Sequence, residues 1–227
     1  MSAIDEEKLA STLTKLRRAI RKVIPEYSER MDGSAHQPPR RFRGIDSEYV
    51  SAGKKGEPHN INVGVCDPPY TYAFRKPEQF LEWLNRVRPE ILYAWVSRAE
   101  FGSLAAWSCL GYDVPEKAFE RWKDSDRIQR FEIQRDRGKT TVLDIQPFFK
   151  SLKRGSLEAA AEMLASYYDD PSLVKVQPPP TTFGDEFGER LPETEEEWRW
   201  YDQRVRSDAR LTSVAAEFLY DVLLPKF

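Results

Sequence analysis

The stretch that decides the fold is Phe42-Arg-Gly-Ile-Asp46-Ser-Glu48-Tyr-Val50, which reads as a β-strand carrying two carboxylates. Residues two apart in a strand project from the same face, so Asp46 and Glu48 stand side by side. Like charges that close repel each other unless a cation lies between them. Carboxylate oxygens favour magnesium or manganese over zinc, so the pair predicts a divalent-metal site. The alternative is a solvated strand face that happens to carry two acids.

The segments after this strand predict two further strands and then an alternation of strands and helices. Residues 60–66 and 70–74 read as short strands, and Pro77 opens a helix over 77–87. A three-strand meander followed by alternating elements indicates an α/β fold, with a mixed sheet flanked by helices. The remaining elements are strands at 90–96 and 140–145, helices near 100–109, over 156–167 and over 195–224, and a charged, partly helical stretch at 114–137.

The chain before this strand predicts an extra N-terminal helix and a linker. Apolar residues recur there at three- and four-residue steps and form one stripe of an amphipathic helix within residues 1–30. Residues 31–41 are a polar, Gly- and Pro-containing linker, so residues 42–227 form the main domain. The basic face of the helix is either solvated or contacts a nucleic acid or protein partner. The stripe consists of Ile4, Leu9, Leu13, Leu16, Ile20 and Val23.

Composition excludes several classes of protein. With 40% hydrophobic and 12% aromatic residues in 227, the chain has material for a core and is not expected to be disordered. Cys66 and Cys109 show no CxxC spacing, so we expect free thiols in a reducing compartment. No window approaches the length of a membrane span, and the first residues lack a signal-peptide pattern. These features predict a cytoplasmic protein without membrane contact.

The net charge of -2 excludes a uniformly basic nucleic-acid binder. It does not exclude a local site, because opposed regions cancel in the total. Residues 1–43 hold 10 Lys and Arg against 6 Asp and Glu, whereas residues 183–202 hold 8 acidic residues against 2 basic ones. Part of the acidic excess is the carboxylate cluster itself, whose charge bound cations would reverse locally.

Four parts of the chain, in order, resemble the DEDD-type 3′–5′ exonucleases, which have an RNase H-like fold: three carboxylate motifs and the elements that connect them. The strand ending in Asp46-x-Glu48 resembles the first motif. Residues 94–104 (AWVSRAEFGSL) resemble the second and place Glu100 at the third carboxylate. Residues 207–214 (SDARLTSV) resemble the last motif, a helix that carries the fourth carboxylate, Asp208. Residues 141–145, 155–164 and 175–178 resemble connecting elements of the exonuclease domains of family B DNA polymerases.

The resemblance implies a site, a reaction and a substrate. Asp46, Glu48, Glu100 and Asp208 would hold two Mg²⁺ or Mn²⁺ ions roughly 3.5–4 Å apart. The ions would promote hydrolysis of phosphodiester bonds at the 3′ end of DNA or RNA. The expected protein is therefore a nuclease whose partner is a nucleic-acid end.

Three departures from the family pattern support an alternative function. Trp95-Val96 replaces a His-Asn pair in the second motif, and Glu100 replaces Asp. Gln203 and Arg204 stand where the family has a His five residues, or a Tyr four residues, before the last Asp; Tyr201 is a candidate substitute. The alternative is a catalytically impaired interaction module of the same fold that binds nucleic acid or a protein partner.

Other residues keep two interpretations each. Asp144 is either an extra metal ligand or a strand-end residue held by local hydrogen bonds. Four tryptophans either stack bases or pack in the core, and three arginines either contact phosphates or lie in a solvated linker. These residues are Trp107, Trp122, Trp198 and Trp200, with Arg40, Arg41 and Arg43.

Overall fold

The computed structural model describes residues 42–50, 59–113, 129–179 and 189–223, together with residues 7, 10, 11, 14 and 15. In these ranges the chain forms a six-stranded mixed sheet flanked by helices, which confirms the predicted α/β class. The strands are β1 (Gly44–Val50), β2 (His59–Asp67), β3 (Tyr70–Phe74), β4 (Ile91–Ala94), β5 (Arg130–Gln134) and β6 (Lys139–Asp144). The helices are α1 (Pro77–Val87), α2 (Ser97–Ala106), α3 (Gln146–Ser151), α4 (Leu157–Tyr168) and α5 (Glu195–Phe218), which continues into a π-helical turn at Leu219–Leu223.

The strand order is β3-β2-β1-β4-β6-β5. The first three strands form the predicted antiparallel meander, and β4 and β6 then run parallel to β1. Because parallel strands end at the same edge of a sheet, the chain leaves β1, β4 and β6 close together there. β5 returns antiparallel along the outer side of β6.

Strand β5 and helix α3 were not expected from the sequence. Residues 130–134 lie in a charged stretch, but apolar residues occupy alternate positions there. Phe131 and Ile133 are buried and their neighbours face outwards, as in a strand. The helix predicted for the first half of 114–137 lies outside the described residues, and β5 occupies the second half, for which the sequence predicted no element. The predicted linker, and the N-terminal helix apart from five helical residues, also lie outside them.

Local signals explain where the other helices begin. α1 starts at Pro77, whose fixed φ suits the first helical position. α4 starts after Ser156, whose hydroxyl accepts a hydrogen bond from the backbone N–H of Ala159 at 3.1 Å, as the sequence predicted. α5 starts with a capping box between Thr194 and Glu197, so its first turn is fixed.

Each face of the sheet has its own core. Ile45, Val63 and Leu92 pack with α1 and α2 on one face. Tyr93 and Leu143 pack with α3, α4 and α5 on the other. Since side chains alternate along β1, the neighbours of Ile45 point towards α5.

Two glycines allow α5 to lie directly on the sheet. A Cβ at Gly44 would collide with the carbonyl oxygen of Ala209, and one at Gly64 with that of Val205. No other residue type fits there without moving the helix. Ser213 of α5 also donates a hydrogen bond to the Phe42 carbonyl. The helix therefore runs antiparallel along β1 at close range.

No helix of the described residues has the length and apolar character required to cross a membrane. Cys66 and Cys109 are both buried and free, as expected.

Candidate metal centre

Strand β1 and helix α5 build an acidic cluster between them. Asp46 and Glu48 share the face of β1 that carries Gly44, which is the face on which α5 lies. Asp208 comes one residue before Ala209, the contact point of α5 with Gly44. One carboxylate oxygen from each of Asp46, Glu48 and Asp208 lies within 4.8 Å of the others. The structure thus brings together three of the four predicted ligands.

Glu100, the fourth predicted ligand, lies beside this group. It sits in the first turn of α2 and is 2% exposed. Its oxygens are not among the three mutually close ones, but its charge raises the pKa of Asp46. Burial, and then the charges of Asp144 and Glu48, raise the pKa of Glu100 itself well above its ordinary value, against a hydrogen bond from its own backbone. Glu100 is therefore electrostatically part of the site.

Asp46 lies at the electrostatic centre of the cluster. Burial, followed by the charges of Asp208, Glu48 and Glu100, raises its pKa well above the ordinary value. Asp46 Oδ2, Glu100 Oε2 and Asp208 Oδ1 are buried and have no hydrogen-bond partner among the described residues. Unsatisfied buried oxygens are costly. A cation bound among them would remove that cost.

Two cations of the protein also face the cluster. Arg204 Nε donates to Glu48 Oε1 at 2.6 Å, and its Nη1 donates to the Val176 carbonyl at 2.8 Å. Lys175 Nζ lies 3.7 Å from Asp208 Oδ2. Arg204 and Asp208 are four residues apart on α5, so they share one face of the helix.

These cations oppose the rise that burial causes in the pKa of the acids they contact. Burial raises the pKa of Glu48, and Arg204 opposes the rise. Burial also raises the pKa of Asp208, opposed by Lys175 and then by Arg204. Burial lowers the pKa of Arg204, but the charges of Glu48, Asp208 and Asp46 outweigh it, so the pKa is raised and the guanidinium remains charged.

Asp144, at the end of β6, accepts a hydrogen bond from the backbone N–H of Gln146 at 2.9 Å. The predicted role as a strand-end residue with local hydrogen bonds is therefore confirmed. Burial nevertheless raises its pKa to about 7. It is not among the three mutually close carboxylates, but it adds negative charge beside Glu100.

The pairing of β1 with β2 shifts register between Glu48 and Tyr49, where Ile61 of β2 is skipped as in a β-bulge, and this marks the end of the acidic part of β1. Bulges redirect side chains and are frequent beside active sites. Tyr49 is 39% exposed. Its pKa is raised mainly by partial burial and also by the negative charges of Glu100, Glu48 and Asp46. The exposed Tyr49 ring thus lies at the rim of the cluster, a position that sequence reasoning missed.

Tyr201, considered as a substitute for the family's Tyr, is instead fully buried. It packs with Val50 and Ile61. Gln203 is exposed, and Arg204 is occupied by Glu48. The positions at which the family carries its His or Tyr therefore supply no such group.

Those of the other candidate nucleic-acid contacts that the structure describes are engaged within the protein. Trp198 and Trp200 pack against the cluster around Tyr201, and Trp107 packs against the core on the α2 face. Arg43 pairs with Asp67 at 2.8 Å. Trp122, Arg40 and Arg41 lie outside the described residues.

The role of Arg204 as a partner of Glu48 was the main functional feature that sequence reasoning missed. Its spacing of four residues from Asp208 placed it on the same helix face, which was the available signal. Its partner on β1 is 156 residues away, and only the docked helix identifies it.

In comparisons with known proteins, no family model matches the chain and no curated protein matches it. The chemistry of the site is therefore inferred from its own side chains.

Proposed function

We propose that this protein is a metal-dependent 3′–5′ exonuclease of the RNase H-like fold, which hydrolyses phosphodiester bonds of DNA or RNA. The observation that carries the proposal is the meeting of Asp46, Glu48 and Asp208, with one oxygen of each within 4.8 Å of the others. They lie in the order, and on the types of element, that the family resemblance implies. The antiparallel meander followed by parallel strands also supports the RNase H-like assignment.

The donor set fits Mg²⁺ or Mn²⁺. Carboxylate oxygens are the ligands that these hard cations prefer, and the described cluster contains neither His nor Cys. The unpartnered oxygens of Asp46 and Asp208 would supply ligand atoms, with Glu100 beside them. When bound, the cation would supply Lewis-acid stabilisation of the negative charge that develops on the scissile phosphate.

The protein's own residues have distinct roles in this proposal. Asp46, Glu48 and Asp208 hold the cation, and Glu100 adds negative charge to the same place. Lys175, which is 26% exposed on its side chain, is available to a phosphate oxygen at the edge of the site. The exposed ring of Tyr49 is available to stack on the terminal base.

One observation favours the alternative of a catalytically impaired interaction module. Arg204 occupies Glu48 at the position where the family carries the His or Tyr that orients water. An exonuclease fold with this arrangement would bind a nucleic-acid end, or a protein partner, without cleaving it.

Cleavage of labelled oligonucleotides distinguishes the two functions. Single-stranded DNA and RNA, labelled at the 3′ or the 5′ end, are incubated with the protein and either Mg²⁺, Mn²⁺ or EDTA. The variants are Asp46→Asn and Asp208→Asn. The matched control is Asp202→Asn, which removes a carboxylate from the same helix, where it pairs with Arg75 at 2.8 Å outside the cluster.

The exonuclease proposal predicts early release of the 3′ label and stepwise shortening of the 5′-labelled strand, with a divalent ion only. The rate of cleavage should fall by at least about 100-fold in Asp46→Asn and in Asp208→Asn, because each variant lacks a ligand of the cation that stabilises the transition state. Asp202→Asn should retain the rate. Binding of the oligonucleotide without metal-dependent shortening of any substrate contradicts the exonuclease and supports the module.

A further inference from the structure

Arg204 is held in the cluster by contacts on three sides. Its Nε reaches Glu48 Oε1 at 2.6 Å, its Nη1 reaches the Val176 carbonyl at 2.8 Å, and its guanidinium lies 5.5 Å from the Trp200 ring centroid. A cation over an indole face is attracted by the ring as well as by the carboxylate. The Trp200 indole N–H in turn donates to the Gln177 carbonyl at 3.2 Å, which fixes the ring. Arg204 is thus built into the site.

The pair formed by Arg204 and Glu48 is largely shielded from water. The two side chains are 11% and 13% exposed. Breaking a buried pair leaves an uncompensated charge, so the arginine leaves Glu48 only if another cation takes its place. Glu48 already has its counter-ion, and it is a protein side chain.

The unsatisfied oxygens of the cluster lie elsewhere. They belong to Asp46, Glu100 and Asp208, and each is buried with no hydrogen-bond partner in the part of the chain that the structure describes. Glu100 and Asp208 are each 2% exposed. The need for an external cation is therefore concentrated at the buried oxygens of Asp46, Glu100 and Asp208.

Charge balance points to the same place. The four carboxylates and Asp144 beside Glu100 carry up to five negative charges, and Arg204, Lys175 and Lys150, whose charge acts on Asp144, carry three positive ones. One divalent ion neutralises the remainder, whereas two would leave the protein's own cations in excess in a buried site, which is costly.

We propose that Arg204 is a built-in counter-cation that takes Glu48 out of the ligand set and occupies the place of one divalent ion, so that this chain binds a single Mg²⁺ or Mn²⁺ on Asp46 and Asp208, with Glu100 beside them. The inference rests on the proposed metal site and goes beyond it, because it removes one of the three proposed ligands and changes the number of ions from the two that the family resemblance implies to one. It assigns to Arg204 a positioning role through Glu48.

Metal stoichiometry tests the proposal without any nucleic acid. Metal-free protein is titrated with Mn²⁺, and binding is followed by calorimetry and by the electron paramagnetic resonance signal of free Mn²⁺. The wild type should bind one ion per chain, and Arg204→Gln should bind two. The matched control Arg75→Gln removes an arginine that pairs with Asp202 and Glu195 of the same helix, and it should bind one.

Two or no ions in the wild type, or an unchanged single ion in Arg204→Gln that is folded by circular dichroism, overturns the proposal. If Arg204→Gln does not fold, crystals of the wild type grown with Mn²⁺ decide. One anomalous peak with Arg204 still on Glu48 supports the proposal, and two peaks or a displaced Arg204 overturn it. If the chain binds one ion but cleaves no nucleic acid, the single-ion proposal stands and the exonuclease proposal fails. If the chain cleaves nucleic acid and binds two ions, the exonuclease proposal stands and the single-ion proposal fails.

Discussion

Glu48 and Asp208 face cations of the protein itself, whereas Asp46, Glu100 and Asp144 form no ion pair within the described residues. We call the first two the paired acids and the other three the unpaired acids. Both groups are largely buried, so they show two solutions to the same desolvation problem. Burial raises the pKa of all five acids, but a counter-ion opposes the rise in the paired acids, whereas the unpaired acids form no ion pair that would do so. Dependence on pH should therefore be strongest in the unpaired acids. Dependence on metal should reside in Asp46, Glu100 and Asp208, whose buried oxygens have no hydrogen-bond partner among the described residues.

The largest expected effect concerns Asp144, whose pKa is raised to about 7 by burial. A raised carboxyl pKa means that the folded state holds its proton more tightly, so its contribution to stability is lost as pH rises from about 3.8 through about 7. Three pKa units correspond to about 4 kcal/mol as an upper figure. Between pH 3.8 and 7, we therefore expect the free energy of unfolding of Asp144→Asn to fall by up to about 4 kcal/mol less than that of the wild type.

Urea unfolding in EDTA at pH 5, 6, 7 and 8 measures this effect. Asp136→Asn, at a side chain 51% exposed, is the control and should retain the wild-type slope of stability against pH. An identical slope in wild type and Asp144→Asn would show that this acid ionises without penalty.

Removal of the counter-ion of a paired acid should have the next largest effect. Arg204→Met leaves Glu48 buried without a partner, and the free energy of unfolding of the metal-free protein should fall by about 3 kcal/mol at pH 7.5. The double variant Glu48→Gln/Arg204→Met should recover most of it, because the orphaned charge is gone. Chemical unfolding of the four proteins gives the coupling energy. Additive losses would mean that the ion pair contributes nothing.

Addition of metal should stabilise the protein through the buried, unpartnered oxygens of Asp46, Glu100 and Asp208. At pH 7.5, Mn²⁺ at 100 times its dissociation constant should raise the free energy of unfolding by about 2.7 kcal/mol. Asp46→Asn should lose this gain, because the central ligand is removed. Thermal unfolding across a Mn²⁺ series measures it, with Asp202→Asn as the control that keeps the gain. An equal gain in Asp46→Asn would place the ion elsewhere.

The smallest effect should come from the second paired acid. Lys175 lies 3.7 Å from Asp208 and is 26% exposed, so Lys175→Met should cost only about 0.5–1 kcal/mol in the metal-free protein. Lys139→Met is the comparison, since it breaks a pair whose side chains are 55% and 38% exposed, and it should cost less. If urea unfolding shows a larger loss of stability for Lys139→Met than for Lys175→Met, burial does not determine which of the two ion pairs contributes more.

The sheet was largely predictable because its local signals agree with its tertiary environment. The alternation in β1 and the proline at the start of α1 were readable in the sequence, and the structure has them in the predicted places. β5 was missed because Phe131 and Ile133 are only two apolar positions in a charged stretch. Their burial depends on the pairing with β6, which a local pattern does not contain.

The site was predictable in part for the same reason. Asp46 and Glu48 share a face by the geometry of a strand, and the helix motif placed Asp208. The ion pair of Arg204 with Glu48, and the position of Glu100 beside the three mutually close oxygens, depend on how α2 and α5 dock. Docking is a property of the packed chain and not of either segment.

The close seating of α5 on Gly44 and Gly64 has a consequence for how the protein assembles. The helix rests on both β1 and β2, so its complete docking surface exists only once the two strands are paired, and docking closes a loop of more than 150 residues between Glu48 and Arg204. Asp46 and Asp208 are far apart until that step. Release of Mn²⁺ from an indicator dye during refolding would therefore time the arrival of a single helix, independently of how early the sheet forms.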